Sequence, residues 1–268
     1  MSTGPCSTAC TVDVVPTASP ALRRRRALAL TGALARATAR PPAGDGRRHG
    51  VCTAARLLTA AGVRVRLVPP AVAWPRGARL VVANRVSWVD DLALRTAVAA
   101  LPVEDEAGWP GLATVRADRV TAELSAGRSV LVRPEEHATC GTGLGRFRPA
   151  AVAPALAAGV PVCPVAVRFR LADRPTTAAA QATGESWWRS ASRVLGSSGL
   201  VVELHQLPAI DPRRGTAAEV AALAEYAIAA VLEADPPRPM SHPHRARTHV
   251  ADPVAPAPVV SPRRAARR

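Results

Sequence analysis

The chain has 268 residues, 48% of them hydrophobic, enough for one α/β core but not for several full-size domains. Its formal net charge is +15, with 35 basic residues that are all Arg against 20 acidic ones, and such an excess favours anionic partners: phospholipid headgroups, an acidic carrier protein or nucleic acid. The five cysteines (Cys6, Cys10, Cys52, Cys140 and Cys163) form no Cys-x-x-Cys pair, which argues against a zinc site or disulfide framework, and no segment reaches the ~18 uninterrupted apolar residues of a spanning helix.

Residues 1–20 are rich in Ser, Thr and Pro and read as disordered. A weak basic helix is expected over 21–39, where the arginines 23–26 precede a short apolar stretch. On a membrane surface its arginines would face lipid phosphates, and an ordinary Arg-capped helix or a flexible leader fits the same pattern. Residues 40–48, with two Pro and two Gly, read as a linker, so 1–50 is taken as a leader. Helical spacing resumes at 51–61 and Gly62 ends it. Alternation predicts a half-exposed strand over 63–68, and the apolar run at 79–83 predicts a buried one. Helices are expected over 91–100 and over 115–126, the second closed by Gly127. Then come a strand at 129–133, a helix at 150–158, a strand at 162–169, a helix at 185–195 carrying Trp187 and Trp188, a strand at 200–207 and a long amphipathic helix at 216–233.

Strands alternating with helices predict a single α/β domain over 51–234, a central mixed β-sheet flanked by helices on both faces. From Pro236 the pattern stops. The last 33 residues hold eight Pro and seven Arg against one Asp, so 235–268 reads as a disordered basic tail.

Three short blocks narrow the reading. The first is Leu80-Val-Val-Ala-Asn84-Arg85-Val-Ser87-Trp88-Val-Asp90. The second is Val130-Leu-Val-Arg133-Pro134-Glu135-Glu136-His137-Ala-Thr139. The third is Phe147-Arg148-Pro149-Ala150, leading into Val160-Pro-Val-Cys-Pro-Val. In this order they resemble the 1-acylglycerol-3-phosphate acyltransferase family of glycerolipid acyltransferases, with its Asn-His-x-Ser-x-x-Asp, Phe-Pro-Glu-Gly-Thr and Phe-Arg-Pro-Ala blocks. Each block alone is weak, and three in register over residues 63–232 indicate common ancestry.

The resemblance implies acyl transfer from acyl-coenzyme A or an acyl carrier protein to the free hydroxyl of a lysophosphatidic-acid-like acceptor. A His in the first block is the family's general base, and the Asp five residues later orients it. Here Asp90 is kept, but the base position is Arg85, whose guanidinium stays protonated and cannot take the hydroxyl proton. A salt bridge between Arg85 and Asp90 is therefore expected. Glu136 stands where the second block has Gly, with Arg133 at the Phe position and His137 at the Thr position. By the same resemblance Asn84, Ser87, Glu135, Arg146 and Arg148 are the candidate acceptor-binding residues. His137 is the one histidine inside a block that could stand in as base. The interval from Asn84 to Glu135 is shorter than the family pattern, as if one strand with its phosphate-binding Arg were lost.

Three functions follow as expectations. The first is an acyltransferase-family protein of glycerophospholipid synthesis, impaired at its base. The second is a catalytically inactive relative that binds lipid or membrane. The third is a basic nucleic-acid-binding protein, against which stand the 3% aromatic content and the lack of any nucleic-acid motif. The expected location is cytoplasmic, peripherally held at the inner face of the cell membrane. Anionic phospholipid and an acyl carrier protein are the expected partners, with neither a metal nor a bound cofactor.

Overall fold

The structure, a computed structural model, describes residues 17–39, 46–103, 109, 112–135, 137–141, 143–182 and 184–234, with backbone alone for 46, 47 and 214. Seven strands form one sheet: β1 (Arg64–Val68), β2 (Leu80–Ala83), β3 (Leu101–Pro102), β4 (Val130–Val132), β5 (Val162–Leu171), β6 (Arg174–Pro175) and β7 (Leu200–Gln206). Their order is β1-β7-β5-β2-β4-β3, and β6 forms a hairpin with β5. The pairs β1/β7, β5/β2, β2/β4 and β4/β3 are parallel, whereas β5/β7 and β5/β6 are antiparallel. The sheet is therefore mixed, as the sequence predicts.

Side-chain alternation divides each central strand between two apolar layers. Val81 and Ala83 of β2, Leu131 of β4 and Cys163, Val165 and Val167 of β5 face one layer. Leu80, Val82, Val130, Val132, Val162 and Ala166 face the other. Helices α1 (Pro20–Ala39), α2 (Gly46–Ala61), α3 (Trp88–Ala97) and α6 (Trp187–Gly196) cover the first layer. Helices α4 (Val120–Ser125), α5 (Pro149–Ala158) and α7 (Ala217–Glu233) cover the second. Buried on both sides, the middle strands need unbroken apolar runs, and these runs made them readable from sequence.

Four boundaries differ from the sequence reading, the first being the helix expected over 91–100, which runs from Trp88 to Ala97 because Ser87 caps it. Residues 20–39 form a 20-residue helix that is part of the fold: Leu30, Ala33 and Ala37 recur at helical spacing and are buried, the first two inside the first core layer. Arg26 fixes α1 to the end of α6, its guanidinium donating to the main-chain oxygens of Leu195 (3.2 Å) and Ser197 (2.8 Å). Those carbonyls close α6 and have no partner inside the helix, so the cation satisfies them and the negative end of the helix dipole together. Helix α2 begins at Gly46 instead of after a linker ending at 48. The helix expected over 115–126 is a 3₁₀ turn (Ala117–Arg119) followed by α4. Where a strand seemed lost, the sheet edge carries the two-residue β3 and a single bridge between Val103 and Val115. Residues 104–108, like the basic tail at 235–268, lie outside the described residues.

Candidate active site

Adjacent parallel strands β2 and β4 end level with each other, Val82 opposite Val132. The loops that follow, 84–87 and 133–141, therefore leave the same end of the sheet, the usual position for ligand sites in α/β folds. Asn84 leaves the strand fully buried. The β2/β5 ladder stops at Ala83 and Val165. The Asn84 amide extends it, accepting from the Val167 N–H (2.7 Å) and donating to the Val167 carbonyl (3.1 Å). Asn84→Ala would leave both groups of Val167 unpaired in the core. The expected cost is about 2 kcal/mol or more, read as a lower midpoint in urea denaturation.

Arg85 follows, half-buried, with its main chain held on both sides. Its N–H donates to Glu135 and its carbonyl accepts from the Thr139 N–H (2.8 Å). Ser87 caps α3, its hydroxyl accepting from the Val89 N–H (3.1 Å). Asp90, at the third position of that helix, completes the capping box. Its Oδ2 accepts from the N–H groups of Val86 (2.8 Å) and Ser87 (3.2 Å). The spacing of Ser87 and Asp90 is thus explained by helix capping, whatever else the pair does.

The cation at Asp90 is not the one the sequence suggested. Arg133, directly after β4, places Nη1 3.1 Å from Asp90 Oδ1 and Nη2 3.4 Å from Asp91 Oδ1. Asp90 is fully buried and Arg133 nearly so. The Asp90 contact is ionic, off the line of a hydrogen bond. Asp91 also pairs with Arg95 (3.0 Å). In place of the expected Arg85–Asp90 bridge, Arg133 stands on the carboxylate that would orient a base.

Glu135 is also buried, and both of its oxygens accept from main-chain N–H groups, Oε2 from Arg85 and Oε1 from Gly145 (2.7 Å). It ties the first motif loop to the third. Burial pushes its pKa up to about 7, against the two N–H donors, which pull it down. The nearby Asp90 charge adds to the rise and Arg133 opposes it. Asp90 and Glu135 are therefore buried neighbours, holding consecutive main-chain amides at positions 86 and 85.

The remaining candidates sit differently. His137, Arg146 and Arg148 are exposed. Arg148 supplies the residue before α5 without a side-chain cap. Glu136 lies outside the described residues. Of the eight residues singled out by sequence, Asn84, Ser87, Asp90 and Glu135 hold backbone, Arg85 is pinned by its main chain to the 133–141 loop, and three basic side chains face outward.

The sequence reading missed Arg133 as the partner of Asp90. It also missed an aromatic cluster beside the site. Trp88, the first residue of α3, lies 5.6 Å between ring centroids from Trp109 and 5.5 Å from Trp187, and Trp187 lies 4.7 Å from Trp188. These spacings suit tilted and edge-to-face aromatic pairs.

No family model matches the chain. It is 31% identical over 199 residues to the lyso-ornithine lipid O-acyltransferase of Pseudomonas aeruginosa, spanning 66% of this chain and 76% of that protein. The crystal structure of the 1-acyl-sn-glycerophosphate (LPA) acyltransferase PlsC of Thermotoga maritima superposes with a TM-score of 0.57 at 17% identity, covering 80% of this chain and 95% of PlsC. That similarity establishes the fold. With three motif blocks in order on that fold, and with the identity to the Pseudomonas enzyme, the chain belongs to the glycerolipid acyltransferase family that includes the 1-acylglycerol-3-phosphate acyltransferases.

Proposed function

We propose that the chain is a glycerolipid acyltransferase in descent and in substrate class, with its acyl transfer strongly impaired. The reaction joins an acyl group to the free hydroxyl of a lysolipid. The hydroxyl oxygen attacks the thioester carbonyl of acyl-coenzyme A or an acyl carrier protein. Its proton must go to a base, and the thiol leaves. The carrying observation is the charge arrangement at Asp90. A permanent guanidinium, Arg85, occupies the base position, and a second one, Arg133, holds the carboxylate that would orient an imidazole. What remains is a lipid-binding framework without a proton acceptor at the expected place. Its expected setting is the cytoplasmic face of a membrane, with no helix among the described residues long and apolar enough to cross it.

The test is acyl transfer by the purified full chain, with acyl-coenzyme A and acyl carrier protein as donors and lysophosphatidic acid and lyso-ornithine lipid as acceptors. Turnover is expected at or near the rate without enzyme. Should transfer occur, loss of it in His137→Ala would identify the exposed His137 as a replacement base. Ordinary enzymatic turnover would overturn the proposal.

A further inference from the structure

Helix α7 has a buried side and an apolar outer side. Val220, Ala221, Ala224, Ile228 and Leu232 are buried in the second core layer. The outer side carries Leu223, 55% exposed, and Tyr226, 75% exposed, one turn apart. Ala222 and Ala230, four residues before and after Tyr226, are exposed as well, and their small side chains permit close approach of another helix. Beside the first turns of α7 lies an open groove of about 380 Å³, lined by Ile210, Val220 and Leu223 together with Asp211 and Glu219. The helix contains three Glu and no basic residue. Glu233, exposed, ends it, and Arg213 is exposed in the 3₁₀ turn (Pro212–Arg214) just before it.

We propose that this face binds the same face of a second copy of the chain, the two α7 helices packing antiparallel about a two-fold axis. An axis between positions 223 and 226 sets Leu223 of each copy against the partner's Tyr226. The same register brings Tyr226 to the mouth of the partner's groove, where its hydroxyl can donate to the Asp211 or Glu219 carboxylate. It also carries Glu233 toward the partner's Arg213. Projecting ring and groove, acidic end and basic end all lie on one surface, so the surface complements itself, as a two-fold contact requires. This self-complementarity selects a second copy. An anionic bilayer or a duplex would meet Glu219 and Glu233 with like charge. A tyrosine entering a groove is also the kind of anchor that dominates interface energy. The contact lies on the helix that holds the third motif block, because Glu225, next to Tyr226, accepts from the Phe147 N–H (2.8 Å). The proposal goes beyond acyl transfer and stands without it.

The test is sedimentation equilibrium of the full chain from about 1 to 100 μM, the range suited to a contact at the small end of protein interfaces. Moderate salt screens the general repulsion between chains of net charge +15. A monomer–dimer equilibrium is expected within that range. Tyr226→Ala should weaken it by about tenfold or more, and alanine at an exposed helix position favours the fold. Glu233→Arg should weaken it several-fold. Arg213→Glu should do the same although it lowers the net charge, so general repulsion does not account for the loss. The two together rebuild the pair at the wild-type net charge and should recover association. Three results would overturn the proposal: monomer throughout the range, a dimer that Tyr226→Ala leaves unchanged, or a double variant that associates no better than either single one. Assemblies larger than a dimer would overturn it as well, since a two-fold contact closes on itself. The wild-type measurement decides even if a variant fails to fold.

Discussion

Restoring histidine at position 85 is expected to raise acyl transfer by less than about tenfold, whereas Arg85→His combined with Arg133→Phe should gain about a hundredfold or more. General-base catalysis contributes about 10²–10⁴-fold where the base is held and its charged form is stabilised. In the single variant the imidazole has no free carboxylate to hold it. Asp90 is already bound to the N–H groups of Val86 and Ser87 and to the Arg133 guanidinium. A histidine must compete with a cation that never loses its proton. Phenylalanine at 133, the residue type of the family block, clears Oδ1 for the imidazole.

Stability gives the same pairing an independent reading. Arg133→Phe alone leaves the buried Asp90 charge without its counter-ion and should cost about 3 kcal/mol. Adding Arg85→His should recover part of that loss at a pH where the imidazole is protonated, a non-additivity that a double-mutant cycle measures directly. Additive losses with no gain in activity would separate Arg133 from the function of Asp90.

The second large effect is expected at Glu135. Both of its oxygens face main-chain N–H groups. A protonated carboxyl still has two accepting oxygens, whereas an amide has one. Glu135→Gln must therefore turn its NH₂ toward the N–H of Arg85 or Gly145. A donor facing a donor in a buried site costs about 2–3 kcal/mol, and for a domain of this size that lowers the melting temperature by roughly 5–10 °C. The penalty should depend on pH. The folded-state pKa of Glu135 is raised to about 7 from the ordinary carboxylate value of 4.5. Between those limits the folded chain binds more protons than the unfolded chain at this residue. Its contribution to stability is therefore complete below pH 4.5 and declines as pH rises through 7. Glutamine does not titrate, so the gap between wild type and Glu135→Gln should be widest near pH 5 and narrower at pH 8. Urea denaturation of both proteins at the two pH values measures it. A gap that widens toward pH 8 would mean that the two N–H donors outweigh burial.

How far these features could be read in advance depended on the kind of interaction. The Leu80–Ala83 and Val130–Val132 strands announce themselves because a strand covered on both faces has no position for a polar side chain. The start of α7 is equally explicit, since Thr216 with Glu219 is a capping box; the box of Ser87 with Asp90 was passed over, and the sequence reading began α3 three residues late, at 91. Helix α1 was half hidden. Its buried stripe is Leu30 with two alanines, and the arginines before it dominate the pattern.

Long-range partners were the least visible. Nothing local shows that Arg133 reaches Asp90 across more than forty residues, although two signs were present: an Arg in place of an aromatic directly after a buried strand, and two adjacent aspartates at 90 and 91 needing a counter-charge. The tryptophans at 88, 109 and 187 meet only after the sheet has closed, so sequence spacing could not pair them. Asn84, Ser87 and Glu135 match residues expected at the acceptor, and each also bonds main chain, a structural use that the motif alone does not announce.

The most direct measurement is a turnover assay of wild-type protein beside Asp90→Asn, using both thioester donors and both lysolipid acceptors. Enzymes commonly turn over at about 1–10³ s⁻¹. The expected result is wild-type turnover far below that range and indistinguishable from Asp90→Asn, because Asp90 is engaged by Arg133 and the helix cap. Turnover within that range, abolished by Asp90→Asn while the protein stays folded, would contradict it.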